Sequence, residues 1–112
     1  MTNFRPGDLL LVTFPFTRGD RGKQRPALVL IDTGDADLIV ARVTTQLYDT
    51  SLDVQISEWK AAGLLAPSVV RLHKLATIEK NLVSRQIGAL TKYDRDRIGK
   101  VVAQLCNGWC AL

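Results

Sequence analysis

Short apolar runs alternate with polar interruptions along this chain, and most runs have the length of a strand rather than a helix. Leu9-Leu-Leu-Val-Thr-Phe14, bounded by Pro15, predicts a buried strand. Pro26-Ala-Leu-Val-Leu-Ile31 predicts a second, with proline at the one position that needs no ladder donor. Leu38-Ile-Val-Ala-Arg-Val43 predicts a third and runs into Thr44-Thr45-Gln46. The segment between them, from Asp32 through Asp35 to Asp37, reads as a turn. Leu52-Asp-Val-Gln-Ile56 alternates and predicts a half-buried strand. Ser57 then caps a short helix, Glu58 to Ala62, which Gly63 stops. Ser68 to Leu72 follows Pro67 as a further strand, and Leu75–Ile78 and Ser84–Ile87 are shorter candidates. The C-terminal helix has the clearest signature. Thr91 stands as N-cap with Asp94 three residues on, and Ile98, Val101, Val102 and Leu105 recur at helical spacing. Six or seven short strands and one terminal helix predict a mainly β fold, a small and strongly bent sheet or barrel-like structure.

Composition adds bounds. The 112 residues make a single domain, 1–112, and 46% apolar content supports one packed core. A charged fraction of 23% is too low for a disordered chain. No run of 18 apolar residues exists to span a membrane, and the N-terminus has no apolar stretch of the signal-peptide kind. Two cysteines are too few for a disulfide framework, so a reducing cytoplasm is the expected compartment. The net charge of +4 is unevenly spread: residues 1–25 carry +3, residues 26–70 carry −4 and residues 71–112 carry +5. Basic flanks that met in space would attract a polyanion; the plainer reading is ordinary solvation.

Several chemistries lack the residues they need. His73 is the single histidine, which excludes a two-histidine acid–base pair within one chain. Asp32, Asp35 and Asp37 do not have calcium-loop spacing. Cys106 and Cys110 lie four apart without further ligands and read as small apolar filler. No glycine-rich phosphate loop precedes a helix, and no cofactor is expected. What remains is the basic loop from Thr17 to Gln24, leading into Arg25-Pro26, and the Thr44-Thr45-Gln46 cluster. A guanidinium fork and hydroxyls suit phosphate. On composition alone the plainer reading leads: Arg25 pairs a carboxylate, and Thr44 and Thr45 fill a strand.

Six segments stand in the order of the PemK/MazF family. They are Gly7-Asp-Leu-Leu-Leu-Val-Thr-Phe-Pro-Phe16, Arg25-Pro-Ala-Leu-Val-Leu30, Val43-Thr-Thr-Gln46, Trp59-Lys-Ala-Ala-Gly-Leu64, Pro67-Ser-Val-Val-Arg-Leu72 and Ala76-Thr-Ile-Glu-Lys80. The chain thus resembles toxins of type II toxin–antitoxin modules, on its PemK-like branch. The resemblance implies an SH3-like, strongly curved antiparallel sheet with short helices, assembled as a homodimer. It implies metal-independent, sequence-specific cleavage of single-stranded RNA, usually mRNA, leaving a 2′,3′-cyclic phosphate, with a cognate antitoxin protein as inhibitor. By position, Arg25 and Thr44 match the family's catalytic arginine and threonine. The loop from Thr17 to Gln24 matches the segment over the RNA groove, where Asp20 takes the place of an acidic residue. Arg18, Asp20, Arg21, Lys23, Gln24, Thr45 and Gln46 are the candidate RNA contacts, with Tyr48 as a base-stacking ring. Trp59 and Trp109 read as packing residues. A toxin of the DNA gyrase-poison type, or a lapsed nuclease that only binds, is the competing reading on the same fold.

Overall fold

Leu9, Leu10 and Val12 expose no surface although neighbouring residues of a strand face opposite ways, so their sheet is covered on both sides. The structure is a computed structural model that describes residues 3–13 and 23–110. Its strands are β1 (Asp8–Thr13), β2 (Gln24–Asp32), β3 (Asp37–Thr44), β4 (Asp53–Gln55), β5 (Val69–Glu79) and β6 (Val83–Ala89). All pairs are antiparallel, and the sheet runs β4-β5-β3-β2-β1-β6. One core, on one face, is built from Leu9, Leu28, Ala41, Val43, Val70 and Leu72 with Ala62, Leu90 and Ile98. The other holds Leu10, Val12, Ala27, Val29, Val40 and Ile78, with Phe4 packed against it.

The mainly β prediction with a C-terminal helix holds; the barrel alternative does not form. β4 and β6 stand at opposite edges and do not pair. In place of closure, the helix α1 (Lys92–Cys110) and the turn at 57–64 cover the first core. The strands expected at 68–72 and 75–78 prove to be two halves of one strand, β5. The register on β3 passes from Ala41↔Leu75 to Arg42↔Arg71, so Leu72, His73 and Lys74 form a bulge that reads in the sequence as a gap. The helix expected over Glu58–Ala62 is instead a turn, with one Ala62 N–H to Glu58 C=O bond. Five residues are too few to repay helix nucleation. Its termination at Gly63 is as expected, at φ +96°.

Asp94 explains why that turn needs no cap of its own. Its carboxylate accepts the backbone N–H groups of Ser57 (3.1 Å) and Glu58 (2.7 Å) and an Arg97 N–H (2.6 Å), with no exposed surface. Asp94, expected as the capping-box partner of Thr91, therefore ties α1 to the turn. Asp32 plays a similar part on the far side. It accepts the N–H of Phe4 (2.7 Å) and of Gly34 (2.8 Å) and pairs with Lys80 at 3.0 Å. Ile98 is buried, and Val101 and Val102 pack on the core, but Leu105 is 39% and Trp109 83% exposed. Cys106 and Cys110 are exposed too, so they are not filler. The helix runs past the surface it packs on.

Replacing Asp94 by Ala strands two backbone donors and a guanidinium at once. The expected loss of stability is about 2–4 kcal/mol, read by denaturant unfolding. The Asp32 carboxyl is held down at about 2 by the Phe4 N–H first, then that of Gly34, then Lys80. A folded value below the ordinary 3.8 means stability that is present above it and lost as pH falls towards 2. Asp32→Asn is therefore expected to flatten the decline of unfolding midpoint over that acid window relative to wild type.

Candidate functional site

Polar side chains reach the sheet where the cores end. On β3, Val43 faces the first core, which turns Arg42 and Thr44 to the opposite face. Ala27 pairs with Arg42, and that register extended by two residues sets Arg25 against Thr44. The two meet in a cavity of about 140 Å³ lined by Gln24, Arg25, Pro26, Val43, Thr44, Thr45 and Ser68. Arg25 is half-buried at the start of β2, directly across from Val12 of β1. The Thr44 oxygen accepts the N–H of Gln46 at 3.1 Å, as in a threonine turn. Its own proton has no acceptor among the described residues, so it is a donor in waiting.

Of the residues expected at a site, Gln24, Arg25, Thr44 and Thr45 thus come together. Gln24 also donates from Nε2 to Ser84 Oγ, which links the mouth of the cavity to β6. Gln46 and Lys23 are exposed beside it. Arg18, Asp20 and Arg21 lie outside the described residues. Tyr48 is set apart: the Arg71 guanidinium covers one face of its ring at 3.6 Å from the centroid, which leaves only the other face for stacking. Trp59 packs against the first core, as expected, whereas Trp109, also expected to pack, is 83% exposed and part of neither core.

Sequence reasoning passed over Ser68, Arg42 and Arg71. Ser68 is buried and donates to the Ala66 carbonyl at 2.8 Å. It is shared, with Pro26 and Thr45, by a second and more apolar cavity of about 210 Å³ that reaches Leu64, Ile87 and Arg85. Arg71 donates to Asp53 at 2.8 Å and lies 3.2 Å from His73 Nε2. Burial pushes the Asp53 carboxyl up, but the bonds from Arg71 and Thr50 outweigh it and leave the carboxyl below its ordinary value. The one available signal was Arg42, the sole charge in the run Leu38–Val43. Among the described residues no group of three or more His, Cys, Asp or Glu is placed to hold a metal ion. No described helix is long and apolar enough to cross a membrane.

Residues 5–106 match the family model described as PemK-like, MazF-like toxin of type II toxin–antitoxin systems. No curated protein sequence matches the chain. Among solved structures, the Mycobacterium tuberculosis toxin MazF-mt6 is 23% identical, with TM-score 0.71 over 87% of this chain and 93% of its own. An endoribonuclease in complex with its cognate antitoxin, from a mycobacterial species, is 17% identical with TM-score 0.72, covering 88% and 89%. The MazE–MazF structure from Deinococcus radiodurans is 17% identical with TM-score 0.69, covering 88% and 90%. At these identities the likeness is one of fold.

The Arg71 side chain is 11% exposed and that of Asp53 not at all. Asp53→Ala leaves a guanidinium without its counter-charge and Thr50 without its acceptor. Its expected cost is about 2–3 kcal/mol in denaturant unfolding, with Asp53→Asn, which keeps the shape, costing less.

Proposed function

The chain belongs to the PemK-like, MazF-like toxin family of type II toxin–antitoxin systems, whose known members are endoribonucleases, and on that premise we propose that it cleaves single-stranded RNA at the cavity of Arg25 and Thr44. The observation that carries the proposal is their shared cavity. They match the family's catalytic pair by position, and the sheet brings them together although they lie on different strands.

The chemistry suits these groups. The substrate's 2′-oxygen attacks the adjacent phosphorus as it loses its proton. The bond to the 5′-oxygen breaks, and that oxygen takes up a proton. The products are a 2′,3′-cyclic phosphate and a 5′-hydroxyl. Negative charge grows on the non-bridging oxygens, where a guanidinium fork and a hydroxyl proton stabilise it. The guanidinium of Arg25 offers a fork of donors and no acceptor, which makes it a clamp on the phosphate rather than a base. Thr44 donates a hydrogen bond from its hydroxyl to a non-bridging oxygen while that hydroxyl's oxygen accepts the N–H of Gln46. Gln24, Thr45 and Gln46 flank the scissile position as contacts to the RNA, with Lys23 beside them. The second cavity, apolar and rimmed by Thr45 and Arg85, suits an unstacked base. A cognate antitoxin, a second copy of the chain and a cytoplasmic location belong to the same reading.

The test is a long single-stranded RNA incubated in EDTA with purified protein, with the cut ends mapped. Wild type is expected to make discrete cuts ending in cyclic phosphate. Arg25→Ala is expected to lose about 100-fold or more, and Thr44→Val about tenfold. No cuts by folded wild type, or full activity in Arg25→Ala, overturns the proposal and favours a toxin that only binds.

A further inference from the structure

Arg42 lies mid-strand in β3, with β2 on one side and β5 on the other. Its partner across β5 is Arg71, another cation on the same face. Like charges directly opposite destabilise a sheet. Arg71 is neutralised in place: Asp53 takes its Nε–H, and Tyr48 covers its plane. Arg42 is exposed and has no ion pair or hydrogen bond to its side chain among the described residues. It stands two residues from Thr44 on the same face, roughly 6.6 Å along the strand. That is comparable to the spacing of successive phosphates in an extended single strand.

We propose that Arg42 binds the RNA phosphate next to the scissile one, so that the strand is held at two points along β3. The inference rests on the proposed ribonuclease reading and extends it to a positioning residue. Arg42 reaches no reacting atom. Its fork holds a neighbouring phosphate, and with Arg25 it fixes the direction of the chain through the cavity. A phosphate at this point also relieves the repulsion between Arg42 and Arg71. Phosphate contacts carry no base information, so Arg42 contributes to affinity and register but not to the choice of sequence.

The experiment compares wild type, Arg42→Gln and Arg42→Lys on RNA oligonucleotides that contain the mapped cut site. In one series, each phosphate flanking the scissile one is replaced singly by an uncharged methylphosphonate. Arg42→Gln is expected to raise KM about tenfold with kcat little changed and the cut sequence unaltered. Its salt slope is expected to be shallower by about 0.7. Arg42→Lys is expected to recover part of the loss. One methylphosphonate position is expected to cost wild type a similar factor and to cost Arg42→Gln nothing further. Independent, additive losses at every position overturn the proposal, as does a normal KM in folded Arg42→Gln. Cleavage by wild type with either of those results leaves the ribonuclease reading standing. Absence of cleavage by wild type removes both.

Discussion

Burial on both faces of one sheet is the constraint from which the rest follows. Strands at the centre have no side free for polar groups, so Leu9, Leu10, Val12, Leu28, Val29, Val40 and Ala41 are all apolar. Polar side chains gather at strand ends and bulges. Arg25 begins β2, Thr44 ends β3, and His73 sits in the β5 bulge. Arg42 is the exception inside a central strand.

The site is built on paired strands. Backbone ladders of β2 and β3 position Arg25 and Thr44, which suits a reaction that depends on preorganised donors. The 57–64 turn lies against β6 with almost no clearance. A Cβ on Gly88 would come 2.1 Å from the Ala62 carbonyl oxygen, and one on Gly63 2.6 Å from that of Ile87. Asp94 binds the same turn to α1, so the wall of the second cavity is fixed from both ends.

Much of this was legible in the sequence because local pattern carried it. Continuous apolar runs marked β1, β2 and β3, and Gly63 marked a turn end. The Asp32–Asp37 segment read as a turn, and the hydrogen bonds of Asp32 and Asp35 bear that out. The losses came from non-local causes. A bulge divides β5 into two apparent strands, since pattern cannot distinguish an inserted His73-Lys74 from a loop. Asp94 looked like a capping residue, because the two backbone N–H groups it accepts lie 36 and 37 positions away. Arg25 and Thr44 stand out in the sequence only through the family resemblance, and their shared cavity depends on strand pairing that no spacing reveals.

The 19-residue helix is in effect two helices of different character. Its first part is anchored by Asp94 and Ile98, whereas residues 103–110 are all exposed and none of them belongs to either core. Their order rests on backbone hydrogen bonds and intrinsic propensity, which for so short a length in water is marginal. Amide hydrogens there are expected to exchange faster than those around Ile98, which lie against the core. The helix therefore finishes in a segment whose opening costs the fold little.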